Sequence, residues 1–159
     1  AFSIDVISDN TMHYQSILQT LDDYLIEFIN RKMKCLDMDA NPKEYDVVRG
    51  LAGMGRYLLN RVEANPKVIS SLIKIMNHFR DIHYSKSHWI VSRENQFLDI
   101  DKERFSLGNI NLGIAHGILG PFSLLALSKL KGVEIDNHTR LLSDITEYLF
   151  RTEFQNKLG

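Results

Sequence analysis

Apolar residues recur at three- and four-residue spacing in five stretches of the chain, and no stretch sustains the alternation of a half-buried strand. The first predicts a helix over about 12–33. Its apolar face is Tyr14, Ile17, Leu18, Leu21, Leu25, Phe28 and Ile29, preceded by the capping candidates Asp9, Asn10 and Thr11. A turn-rich link from Asp37 to Pro42 ends it. The second stretch predicts a helix over about 44–62, with Val47, Val48, Leu51, Gly55, Leu58, Leu59 and Val62 on one face. Asn65 and Pro66 open a third, the asparagine as cap and the proline at the first helical position. Its stripe is Val68, Ile69, Leu72, Ile73, Met76 and Phe79. Over 84–110 the pattern lapses into a long ordered loop, in which Trp89-Ile90-Val91 reads as a short extended piece. A fourth helix covers about 111–131 and stops at Gly132; a fifth begins near Asn137 and carries Leu141, Leu142, Ile145, Tyr148 and Leu149.

The pattern repeats. Gly50-x-x-Gly53 and Gly117-x-x-Gly120 lie 67 residues apart, and each precedes an apolar run, a short link and an asparagine-led helix at Asn65 or Asn137. The unit is a helical hairpin over about 44–83 and again over about 111–151, within a single all-helical segment, 1–159. At 100° per residue, Asp46, Gly50, Gly53 and Tyr57 share one stripe of the second helix. Gly113, Gly117, Gly120 and Leu124 share the matching stripe of the fourth, with His116 on the flank where Arg49 sits. Glycine inside a helix costs about 1 kcal/mol relative to alanine, so two glycine-lined faces imply close approach to those backbones. The expected architecture is all-α: stacked helical hairpins forming part of an α/α toroid, with inner helices around a cavity. Pro121 either kinks the fourth helix or starts it, leaving Ala115-His116-Gly117 as its entry loop.

Composition narrows the function classes. With 44% hydrophobic and 25% charged residues the chain has the make-up of a folded domain. A net charge of −1 gives no footprint for nucleic acid. No apolar run reaches the length of a membrane span. One cysteine, Cys35, excludes an internal disulfide framework and suits a reducing compartment, so a cytoplasmic protein is expected. P-loop, G-x-S-x-G and dinucleotide fingerprints are missing.

Two residues head the candidate chemistry. His116 is either a satisfied histidine at a helix entry or a group for proton transfer to or from a thiol or an enolate, since imidazole titrates near neutrality. Asp46 is either a first-turn acid at a helix N-terminus or a carboxylate that orients a histidine across the cavity. Arg49 and Arg56 lie on helix flanks and are either solvated or contacts for an anionic group. His78, His83 and His88 recur every five residues, which matches no zinc motif. Cys35 reads as a buried or idle thiol, and Trp89, Phe97 and Phe105 as anchors of the long loop.

The run Asn111-Leu112-Gly113-Ile114-Ala115-His116-Gly117-Ile118-Leu119-Gly120-Pro121, followed by an apolar helix, resembles the LanC family, the zinc-dependent lanthionine synthetases (lantibiotic cyclases) of bacteria. Tyr45-Asp46-Val47-x-x-Gly50-x-x-Gly53 resembles the preceding glycine-pair repeat of that family. The resemblance implies an α/α toroid that adds peptide cysteine thiols to dehydroalanine or dehydrobutyrine, forming thioether rings. It implies His116 as the active-site histidine and Asp46 as its assisting aspartate. The residue pattern adds Arg49, Gly50, Gly53 and Gly117 as expected substrate-binding positions. It implies a dehydrated precursor peptide as partner, together with a dehydratase and an exporter.

The family binds zinc through two cysteines and a histidine downstream of the AHG segment, and no cysteine follows Gly120 here. The expectation is therefore a central fragment of a LanC-like protein: no zinc in this chain, zinc in the parent, and no cyclase activity by the chain alone. Its severed hairpin faces are expected to drive self-association. The competing reading is a non-catalytic helical peptide-binding scaffold, which tolerates loss of His116. A toroidal glycosidase ranks last, because it needs two facing acids and only Asp46 lies on an inner stripe.

Overall fold

A computed structural model describes residues 14–36 and 39–156. The capping candidates Asp9, Asn10 and Thr11 and part of the 37–42 link lie outside the described residues. Among the described residues seven α-helices follow in order: α1 Gln15–Lys32, α2 Pro42–Tyr45, α3 Leu51–Arg61, α4 Val68–Tyr84, α5 Asp99–Arg104, α6 Leu119–Leu130 and α7 His138–Asn156, with a 3₁₀ turn at Arg93–Asn95. The only pairing of extended backbone among the described residues is an isolated antiparallel bridge, Val91 to Asn109. The all-α expectation holds; of the expected extended piece Trp89-Ile90-Val91, only Val91 enters the bridge, while Trp89 lies in a turn with a φ of +67°.

The long helices form where the apolar periodicity is strongest, and they bury that face. Helix α3 packs on α4 and α6, α1 packs on α4, and α6 packs on α7. Leu18 and Ile29 of α1, Leu51 and Leu58 of α3, Leu72, Ile75, Met76 and Phe79 of α4, Leu125 of α6, and Leu141 and Ile145 of α7 are all fully buried. The hydrophobic effect thus joins the hairpins into one core. No helix among the described residues is long and apolar enough to cross a membrane.

Two helix entries depart from the expected pattern. The predicted helix over 44–62 breaks into α2 and α3, with residues 46–50 outside any helix. The Asp46 carboxylate accepts hydrogen bonds from the Arg49 and Gly50 amides through Oδ1, at 2.6 and 2.8 Å. An aspartate that engages amides three and four residues ahead offers the backbone an alternative to the helix. The fourth helix likewise starts at Leu119 rather than Asn111, because Asn111 turns the chain. Its side chain accepts from the Gly113 amide and its carbonyl from the Ile118 amide. Pro121 falls in the first turn of α6, where the missing N–H costs nothing, so of the two alternatives it marks the helix start.

The shared glycine stripes are thereby overturned, since Asp46 and Gly50, and Gly113 and Gly117, precede their helices. A Cβ on Gly53 would collide with the Val47 carbonyl, and one on Gly117 with the Asn111 and Gly113 backbones. The chain's own backbone makes the close approach that the glycines permit. Gly53→Ala is expected to cost about 1–3 kcal/mol in urea unfolding, an overpacking penalty at a rigid backbone contact; an unchanged midpoint would show that the 46–50 turn can yield there.

Two buried histidines make stability depend on pH. His138 donates from Nε2 to the Leu125 carbonyl at 3.0 Å, and among the described residues its buried Nδ1 has no partner. His83 accepts at Nδ1 from the Trp89 indole at 3.3 Å. Burial lowers both pKa values below the ordinary 6.5, and at His83 the neighbouring His88 adds to the effect. As pH falls through 6.5 the unfolded chain takes up protons that the folded chain resists. Stability is therefore complete above about pH 6.5 and is lost progressively below it. Urea midpoints measured between pH 7.5 and 5 should fall; a flat profile would contradict the buried neutral rings.

Candidate active site

The 46–50 turn and the 111–118 turn are folded against each other. The Val47 amide donates to the Ala115 carbonyl at 3.0 Å, and the missing Cβ of Gly120 admits the Val47 side chain. That register brings Asp46 to His116, 70 residues apart, with Oδ2 2.7 Å from Nδ1. Asp46 is fully buried, while the His116 side chain remains 44% exposed.

The tautomer follows from the acceptor chemistry. Oδ1 of Asp46 is occupied by two backbone amides, and a carboxylate only accepts. His116 therefore donates from Nδ1–H, leaving the Nε2 lone pair of the neutral imidazole available. Held this way, Nε2 can take a proton from an incoming acid and return it to a developing anion. Next to Asp46, the buried Tyr45 hydroxyl has its pKa raised, by burial first and by the aspartate's charge second, so it stays protonated.

The remaining expected positions scatter. Arg49 gives its backbone N–H to Asp46 while its side chain is exposed. With Gly50, Gly53, Val48 and Met54 it borders a surface cleft of about 270 Å³. Gly117 is buried beneath the His116 turn. Tyr57, assigned to the inner stripe with Asp46, instead donates to buried Asp22 of α1 at 2.7 Å. Arg56 bonds Asn60 along its own helix. Cys35 is exposed in the turn after α1, not buried.

Of the loop aromatics, Trp89 is buried as expected of an anchor, and Phe105 lies under the Arg104 guanidinium at 5.3 Å. Phe97 differs: it is 38% exposed, with its ring 5.2 Å from that of His116. Sequence reasoning missed this contact, for which the only signal was an aromatic residue in a long loop.

No group of three or more histidine, cysteine or acidic side chains among the described residues is arranged to hold a metal. The two-cysteine, one-histidine zinc set implied by the resemblance does not fit this chain, whose one cysteine is remote from His116 in sequence and exposed. The Nδ1 lone pair of His83 is committed to Trp89.

The family model of lanthionine synthetase C-like proteins matches residues 1–159. The chain is 28% identical over 162 residues to the nisin biosynthesis protein NisC of Lactococcus lactis subsp. lactis, covering 99% of this chain and 38% of that protein. It superposes on nisin cyclase with a TM-score of 0.81 at 26% identity, over 91% of this chain and 36% of that one. The hairpins correspond to an arc of the α/α toroid of that structure. The chain thus spans well under half the length of these relatives.

Proposed function

The chain belongs to the lanthionine synthetase C-like family, and from that premise we propose that it supplies the proton-transfer pair of a lantibiotic cyclase. The reaction joins a peptide cysteine thiol to dehydroalanine or dehydrobutyrine. Sulfur bonds to the β-carbon, the C=C electron pair moves toward the carbonyl as an enolate, and the α-carbon then takes a proton. The net change is addition of S–H across C=C. His116 Nε2 either accepts the thiol proton or, once protonated, delivers the α-proton, and Asp46 holds the neutral imidazole in the tautomer whose Nε2 lone pair is free. The observation that carries this reading is the 2.7 Å contact between a buried carboxylate and a half-exposed imidazole.

Thiol activation by zinc is not assigned to these residues, because the ligand set does not fit them. By itself the chain is expected to leave a dehydrated precursor peptide unringed. The test is a chimera in which this chain replaces the matching part of nisin cyclase, assayed by mass spectrometry for loss of free thiol in a dehydrated precursor peptide. Ring formation that depends on His116 supports the proposal. A folded chimera whose turnover is indifferent to His116 would favour the peptide-binding scaffold instead.

The same reading extends to a cytoplasmic location, to the dehydratase and exporter as partners, and to self-association. Leu112, Leu119, Phe122, Leu149 and Phe150 line an open apolar cavity of about 320 Å³ between α6 and α7. Leu130 is also exposed at the end of α6. Uncovered apolar surface of this kind drives association. The mass from light scattering should therefore rise with concentration, and Leu119→Glu should suppress the rise. A concentration-independent monomer would contradict it.

A further inference from the structure

One hydrogen bond does not fix an imidazole. The Asp46 carboxylate anchors Nδ1, but coupled changes in χ1 and χ2 still let the ring pivot about that anchor and re-aim Nε2. Proton transfer, which the function proposed above requires, needs Nε2 to point in one direction. The loop over 85–110 supplies a second restraint. Its Phe97 ring meets the His116 ring at a centroid distance of 5.2 Å and an angle of 63°, an edge-to-face arrangement. Phe97 is 38% exposed, whereas Trp89 on the same loop is buried and anchors it.

The loop is built to hold Phe97 in place. Its neighbour Gln96 is buried and donates from Nε2 to the Val91 carbonyl, the Ser92 carbonyl and Asn109 Oδ1, at 3.0, 3.3 and 3.0 Å. The Val91–Asn109 bridge closes the loop at its base, with amide-to-carbonyl bonds of 2.8 and 3.1 Å. Trp89 packs edge-on against Tyr45 at 5.3 Å, and Tyr45 directly precedes Asp46. On α2, the Lys43 ammonium lies 6.0 Å from the Phe97 ring centre. One loop therefore clasps both halves of the pair, through Trp89 on the Asp46 side and Phe97 on the His116 side.

We propose that Phe97 is a positioning residue, which packs against the His116 imidazole and fixes the direction of Nε2. The test is side-chain NMR on the intact chain labelled at its histidines, comparing wild type with Phe97→Ala, Phe97→Leu and Phe97→Tyr. In Phe97→Ala, the order parameter of the His116 ring should fall and a second ring orientation, reached by coupled χ1 and χ2 changes, should appear, while the Nδ1–H bond to Asp46 persists. Phe97→Tyr should restore the single orientation and Phe97→Leu only part of it. The other histidine rings and the melting temperature should stay unchanged, because a half-exposed loop side chain contributes little to the core. A His116 ring equally ordered in wild type and Phe97→Ala would overturn the proposal, as would an equal loss of order in Phe97→Tyr. These readouts involve no turnover, so an inactive chimera would count against the cyclase reading and leave this one standing.

Discussion

Replacing His116 with alanine is expected to lower turnover of the grafted cyclase by about 10²–10⁴-fold, the usual contribution of one positioned acid–base group. Asp46→Asn should cost nearly as much, for a reason visible in the hydrogen bonds. The amide oxygen must take the place of Oδ1, because the Arg49 and Gly50 amides still require an acceptor. Its NH₂ then faces Nδ1 of His116, where Oδ2 now lies. An incoming donor selects the tautomer with the lone pair on Nδ1 and the proton on Nε2, the wrong one for a base. Nitrogen NMR of this chain would detect the switch directly. A His116 that keeps its proton on Nδ1 in Asp46→Asn, with turnover intact, would refute the assignment of roles. Loss of activity in His116→Ala alone would leave Asp46 as a structural cap of the 46–50 turn.

The largest expected loss of stability lies elsewhere. Asp22 on α1 is fully buried and receives the Tyr57 hydroxyl, the Arg61 guanidinium and the Asn65 amide. Arg61 Nη2 sits 3.1 Å from Oδ2, and both partners are almost completely shielded from water. Removing one member of such a pair strands the other's charge in the interior, which costs about 3–5 kcal/mol. Asp22→Ala should therefore bring urea unfolding to much lower denaturant and loosen α1 from α3. The double replacement Asp22→Leu with Arg61→Met should recover part of the loss, since the uncompensated charge goes with it. If Asp22→Ala shifted the midpoint no more than an exposed substitution does, the cluster would be solvated and the argument wrong.

The way these features divide between sequence and structure has a physical basis. Periodicity located α1, α3, α4, α6 and α7 because burying one helical face leaves a mark every three or four residues. The motif at 111–121 singled out His116, and the one at 45–53 singled out Asp46, as residues worth testing. Periodicity reads 45–53 as continuous helix and leaves 111–121 open between helix and entry loop, because it does not register an aspartate or asparagine competing for backbone amides. Asp46 and Asn111 do so, and they turn each helix entry into a loop.

Asp22 shows the opposite failure. It looks like one more acid on a helix, yet its partners lie 35 to 43 residues away and only the packing of α1 near α3 assembles them. Phe97 meets His116 for a similar reason, through a loop whose path is set by Gln96 and Trp89. By itself the sequence determined the helical class, the family resemblance and the two residues with suitable chemistry. The tertiary structure alone decided that they touch, which tautomer the histidine takes and what holds its ring. Contacts between segments 70 residues apart depend on how helices pack, and packing is a property of many side chains at once.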